Sequence, residues 1–198
     1  MSSENIREGM MISAAFTGYR PQKLPFGNDL SHPDAVRLRA ALYNEYEKLV
    51  LRGFRYFYTG GALGSDLMAA EIILELKRQY EHRELCHMLC LPCLNHCAKW
   101  RNEDIIRLEK IKRDSTVVYV SEKPYFNGCM QLRNQYMVDA GAVLIAVYDG
   151  QSGGTKNTVD YARRQGRKIV AIRPKGVMRV EFFEKPEDAD QLMLIDDV

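Results

Sequence analysis

The chain has 198 residues, 46% hydrophobic and 27% charged, with a net charge of +2, which fits one globular domain with a sizeable core. The balanced charge gives no general support to a nucleic-acid protein, and the longest apolar runs are too short to span a membrane. Met1 to Gly9 lacks the apolar core of a signal peptide, so five cysteines point to a reducing, cytoplasmic setting.

Met10 to Phe16 reads as a buried first strand ending at Thr17-Gly18-Tyr19-Arg20-Pro21, with a breaker-rich loop over Lys23 to Ser31. Ser31 to Arg52 has the spacing of a helix: Leu38, Leu42, Tyr46 and Leu49 recur at three and four, Pro33 suits the first turn and Gly53 the stop. Phe54 to Phe57 reads as a second strand and Leu67 to Tyr80 as a second helix. Between them Tyr58-Thr59-Gly60-Gly61-Ala62-Leu63-Gly64-Ser65-Asp66 forms a glycine-rich strand-to-helix turn. Such a turn lets backbone approach a ligand and aims helix N–H groups at an anion. Asp66 and Glu71 fall in the first two turns of that helix, where acids favour the dipole; Asp66 could instead bond a ribose hydroxyl or a ligand amine.

Glu84 to Leu91 reads as a third strand closed by Pro92. Cys86, Cys90, Cys93 and Cys97 cluster here with His87 and His96, and Cys86-x3-Cys90-x2-Cys93 has the spacing of a radical-SAM cluster. Cluster ligands need a wrapping loop, whereas Cys86 and Cys90 lie four apart on a strand, more than ~10 Å from one another, so they read as core and no metal is expected. Leu94 to Arg113 is predicted as a helix carrying Trp100, Ile105, Leu108 and Ile111. Thr116 to Val120 reads as a fourth strand, and Cys129 to Ala140 as a helix capped by Asn127 on which Arg133 shares a face with Met137 and Asn134 with Val138. The apolar stretch Ala142 to Tyr148 fits a fifth strand covered on both faces. A second glycine turn, Asp149 to Thr155, follows; Thr155 is a natural N-cap for a helix to Gln165, and Lys168 to Ile172 is a sixth strand. Residues 180–198 carry seven acidic side chains and one lysine, a net −6 that leaves +8 on residues 1–179. This stretch reads as a hairpin, an edge strand or a partly disordered tail.

Six strands alternating with five helices predict a single α/β domain: a doubly wound, mostly parallel sheet with helices on both faces. The expected boundaries are 1–174 for this domain and 175–198 for an acidic C-terminal extension. Three strand ends then meet at one carboxyl edge, where open α/β sheets bind ligands: Thr17 to Arg20, Gly60 to Asp66, and Gly153 to Thr155.

Thr17-Gly18-Tyr19-Arg20-Pro21, Gly60-Gly61-Ala62-Leu63-Gly64-x-Asp66, Arg133-Asn134-x-x-Met137-Val138 and Gly153-Gly154-Thr155, as an ordered set, resemble the YpsA-like branch of the SLOG superfamily. That superfamily also includes the LOG phosphoribohydrolases and the DNA-uptake protein DprA. The resemblance covers about residues 10–172 and implies a Rossmann-like fold that binds, and as a sensor reports, a nucleotide or ADP-ribose-like ligand, read by a protein partner or a homo-oligomer. The expected ligand-binding set is Thr17, Gly18, Arg20, Gly60, Gly61, Gly64, Ser65, Asp66, Arg133, Asn134, Gly153, Gly154 and Thr155, with no cofactor. LOG enzymes pair an arginine with a glutamate just after their glycine turn. Arg133 with Met137 fits the first half, but no acid follows Thr155 until Asp160. Catalytic candidates are therefore Arg133, Asp66 and Glu71, for an alternative role as a nucleotide N-glycosidic-bond hydrolase. A DprA-like single-stranded DNA binder is the third reading; it needs a basic, aromatic-lined groove, and no Lys/Arg cluster marks one, so nucleic acid is not the expected partner.

Overall fold

A computed structural model of the protein describes residues 12–175 and 180–183. Six parallel strands are β1 (Ser13–Gly18), β2 (Tyr56–Thr59), β3 (Cys86–Leu91), β4 (Thr116–Tyr119), β5 (Val143–Val147) and β6 (Lys168–Ile172). A seventh, β7 (Val180–Phe183), pairs antiparallel with β6 from Ile172↔Val180 to Ile169↔Phe183. The order in the sheet is β4-β3-β2-β1-β5-β6-β7. Five helices connect the strands: α1 (Pro33–Leu51), α2 (Ser65–Gln79), α3 (Asn102–Arg113), α4 (Cys129–Ala140) and α5 (Gly154–Arg164).

The strands separate two cores because successive side chains point to opposite faces. Ala14 and Phe16 of β1, with Val143, Ile145 and Val147 of β5, pack under α1 and α2. Ala15, Leu144 and Ala146 face the other way, against Met137 and Val138 of α4 and Val159 and Ala162 of α5. A third cluster joins Leu67, Ala70 and Leu74 of α2 to Leu89, Leu91, Leu108 and Ile111. The near-continuous apolar sequence of β5 follows: all five of its residues are buried between two helical layers. The Rossmann-like, doubly wound, mostly parallel architecture expected from the sequence is therefore present, with winding reversing between β1 and β5.

Several boundaries differ from the sequence reading. β1 runs to Gly18, because Thr17 and Gly18 pair with Ala146 and Val147 of β5; Met10 and Met11, where the strand was expected to start, lie outside the described residues. The helix expected from Leu94 begins only at Asn102. Leu94 to Trp100 instead forms tight turns (Ala98 N–H to Asn95 O, Trp100 N–H to Cys97 O) that are pinned to the next loop. Two expected N-caps are replaced by glycines: Gly128 precedes α4 and Gly153 precedes α5, neither with a side-chain cap. Of the three readings of the C-terminal stretch, the edge strand holds for Val180–Phe183; the acidic residues beyond lie outside the described residues. Among the described residues no helix is long and apolar enough to cross a membrane.

Candidate functional site

The reversal between β1 and β5 opens a crevice at their carboxyl ends, the place where open α/β sheets take ligands. Tyr19 ties the two ends together. Its hydroxyl donates to the Asp149 carboxylate and accepts from the Asp149 amide at 3.3 Å. Burial, with the Asp149 hydrogen bond second, pushes the Tyr19 phenol up to about 12, so it stays a donor at neutral pH. Beyond it Arg20 is exposed, and no hydrogen bond or ion pair holds its guanidinium among the described residues. Lys23, on a 3-10 turn (Pro21–Lys23), lies over the Tyr19 ring at 5.3 Å and donates to the Ser152 carbonyl at 2.5 Å.

The glycine turn after β2 is largely spent on the protein itself. The Gly60 amide donates to Asp66 Oδ1 at 2.7 Å, and the Ser65 amide and hydroxyl both donate to the Tyr19 carbonyl, at 3.2 and 2.9 Å. Gly64 has φ +91°, and a Cβ there would fall 2.7 Å from that same carbonyl, so only glycine lets α2 start against β1. Asp66 is buried; burial raises its carboxyl, opposed chiefly by the charge of Arg133 and then by the Gly60 amide.

Arg133 reaches across from α4. Its Nη1 donates to the carbonyls of Gly60 and Cys90, the latter at 3.2 Å, and its Nε to Asn134 Oδ1 at 2.8 Å. Among the described residues Nη2 carries no hydrogen bond and no carboxylate stands within ion-pair distance, although the side chain is buried. Asn134 in turn donates to Thr158 Oγ1 at 2.8 Å, linking α4 to α5, and Thr155 Oγ1 donates to the Gly18 carbonyl at 3.2 Å. Thr17, Gly18 and Arg20 of the β1 end, Asp66, Arg133 and Asn134, and Gly153, Gly154 and Thr155 line one cavity of about 290 Å³. A second, of about 370 Å³, adjoins it between α4 and α5. A third, of about 70 Å³, lies toward His96 and Trp100.

Residues 14–175 match the profile of the YpsA family, described as the YspA SLOG family. The chain belongs to it. Among similar proteins, the uncharacterized SPbeta prophage-derived protein YoqJ of Bacillus subtilis (strain 168) is 28% identical, over 73% of this chain and 92% of that one. A UPF0398 protein of Bacillus cereus (strain G9842) is 30% identical over 77% and 83%. DNA processing protein A from Helicobacter pylori, which binds single-stranded DNA, superposes with a TM-score of 0.54 at 14% identity over 86% of this chain and 68% of its own. DprA from Streptococcus pneumoniae gives 0.54 at 16% identity over 84% of this chain, which spans about half (52%) of that protein. At such identity these structures share the fold. SLOG membership supports a nucleotide-related binding role in general terms, and the DprA neighbours lend nothing to the expectation that nucleic acid is not a partner.

In this SLOG chain four expected site residues stand apart from the 290 Å³ cavity. Gly60 borders the 70 Å³ cavity, Gly64 a surface hollow near Arg101, and Gly61 and Ser65 line none of these. Glu71 is held by Arg107 in a bidentate pair at 2.6 and 2.7 Å, and does not line the cavity. Sequence reasoning passed over Tyr19 and Lys23. Tyr19 stood inside a quoted motif, between Gly18 and Arg20, and that placement was its available signal. Lys23 had none. All five cysteines are free thiols, and among the described residues no three His, Cys, Asp or Glu side chains group as a metal site. Cys90 lies in the core beneath α4, where burial pushes its thiol up to about 12. His96 borders the 70 Å³ cavity with both ring nitrogens buried and, among the described residues, no geometric hydrogen-bond partner, and burial pulls its pKa down to about 4.

Proposed function

We propose that the protein binds a phosphorylated nucleotide or nucleotide-derived ligand at the carboxyl edge between β1 and β5. The observation that carries this reading is Arg133: a buried guanidinium that bonds carbonyl and amide oxygens through Nε and Nη1, with no carboxylate within ion-pair distance among the described residues. The nearby charge of Asp66 offsets only part of the cost of burying such a cation, and an approaching anion offsets more. The phosphate lies in the 290 Å³ cavity between Arg20 and the N-terminus of α5, whose first amides have no intrahelical partner. Arg20 closes on it from solvent with the planar fork suited to phosphate. The turn after β2 serves as the wall that holds Asp66 and Arg133, rather than as the phosphate cradle.

The test is calorimetric titration with nucleoside monophosphates, ADP-ribose and NAD, alongside thermal shift. At least one is expected to bind and to raise Tm, and Arg20→Ala to weaken that binding. Absence of binding by every one of them overturns the reading.

Asp66 favours a second reading, hydrolysis of a nucleotide N-glycosidic bond. It is the acid that shares the cavity with Arg133, and its burial-raised carboxyl suits proton transfer to a leaving base. Chromatography for free base after incubation with nucleoside monophosphates tests it. Release that persists in Asp66→Asn removes Asp66 from the chemistry.

A further inference from the structure

The 370 Å³ cavity between α4 and α5 is not needed to hold a phosphate, and its chemistry is different. Five of its ten polar lining side chains are carboxamides; four of these, Asn127, Gln131, Gln135 and Asn157, make no side-chain hydrogen bond among the described residues. Of the charged groups nearby, the acid is engaged and the cation keeps its N–H donors. Asp160 pairs with Lys156, and Arg164 lies over the Tyr161 ring at 5.9 Å. A free carboxamide offers two donors and an acceptor on one planar group, which matches the mixed edge of a heterocycle and not a second phosphate. Tyr125, 61% exposed, stands at the cavity with its ring available for stacking. Met130, Asn134 and Gly154 line both this cavity and the 290 Å³ one, so a single ligand can occupy the two.

We infer that the cavity between α4 and α5 is the nucleobase subsite of the same ligand. The ligand class is then a base-bearing nucleotide, not a sugar phosphate or pyrophosphate alone. This inference rests on the phosphate placement proposed above. The base edge is read by Gln131, Gln135, Asn127 and Asn157, while its phosphate remains between Arg20 and α5.

The experiment is isothermal titration of the full chain with ribose 5-phosphate and with the four common ribonucleoside monophosphates, repeated on a Gln131→Ala/Gln135→Ala double variant. Both positions are on the surface side of α4, so folding, checked by circular dichroism, is expected to survive. At least one nucleotide is expected to bind about tenfold or more tighter than ribose 5-phosphate, the yield of about two added hydrogen bonds. In the double variant that preference is expected to fall to about threefold or less, with ribose 5-phosphate affinity little changed. Ribose 5-phosphate binding as tightly as every nucleotide overturns the inference and leaves the phosphate reading standing. A full preference retained by the double variant also overturns it, since the base then sits elsewhere. No binding by any of the five overturns the inference, and the phosphate reading is then decided by ADP-ribose and NAD.

Discussion

The Arg133 guanidinium donates to the carbonyl oxygen of Gly60, 73 positions earlier in the chain, so a side chain from one helical layer is bound to a turn that leads into the other. The contact exists because position 60 has no side chain: a Cβ there would fall 1.8 Å from Arg133 Nη1. Gly60→Ala therefore displaces a buried cation. It is expected to cost about 2–4 kcal/mol, lowering Tm by roughly 5–15 °C, and to abolish nucleotide binding. Gly154→Ala is the control, since nothing lies within 4 Å of a Cβ there; its Tm is expected to stay within about 2 °C. Differential scanning calorimetry on the two variants reads the contrast.

Arg20 is exposed, and among the described residues its guanidinium is unpaired, so it contributes nothing visible to the fold. Arg20→Ala is expected to leave Tm within about 2 °C while weakening nucleotide binding about 10–100-fold, the range for losing a charged hydrogen bond. Titration calorimetry with a thermal melt of the same sample separates the two effects.

Asp66 places negative charge in a cavity assigned to an anion. Asp66→Asn keeps an oxygen for the Gly60 amide and removes the repulsion. Phosphate-bearing ligands are expected to bind about three- to tenfold tighter, with the gain shrinking in high salt. If the protein hydrolyses nucleotides, the same variant loses turnover as it gains affinity, so one protein preparation reports on both readings.

His87 sets an acid limit on stability. Its Nδ1 lies 2.7 Å from Ser115 Oγ and its Nε2 lies 2.8 Å from Thr59 Oγ1. Ser115 spends its proton on the Ile111 carbonyl at 2.5 Å, so Nδ1 carries the imidazole hydrogen and Nε2 accepts from Thr59. Burial pulls the His87 pKa down to about 3, from an ordinary 6.5. The unfolded chain therefore binds its proton first as pH falls. The stability is fully present above pH 6.5 and is lost between pH 6.5 and 3, at up to about 1.4 kcal/mol per pH unit. Urea midpoints at pH 7, 5.5 and 4.5 are expected to fall in that order. His87→Gln is expected to be less stable at pH 7 but to lose less on acidification.

Breaking the Tyr19–Asp149 link tests whether it anchors the second glycine turn. Tyr19→Phe retains the ring beneath Lys23 and removes the hydroxyl. A loss of about 1–2 kcal/mol is expected, with amide exchange faster from Asp149 to Gly153 and unchanged in α1.

The sheet was legible because its alternation is written in neighbouring residues: Ala14 and Phe16 face one core and Ala15 the other. The cavity lining was legible in part, because Arg20 and the Gly153 turn follow strands whose ends a parallel sheet must align, whereas Arg133, inside α4, came only from the family resemblance. Local patterns failed where a partner is distant. Thr155 carries the sequence of a helix cap, yet its hydroxyl bonds the Gly18 carbonyl, 137 positions away. Leu94, Cys97 and Trp100 are spaced as on a helix, but Leu94 N–H bonds the Lys123 carbonyl and Asn95 accepts from the Tyr125 amide at 2.6 Å. Those contacts hold the segment in turns, and only the folded chain brings them together.

The Tyr19 carbonyl takes two hydrogen bonds from Ser65, which locks the β1 and β2 loops to each other before any guest arrives. Little ordering is then left for the moment of encounter beyond the Arg20 side chain, so capture should proceed in a single fast phase whose rate rises linearly with ligand concentration.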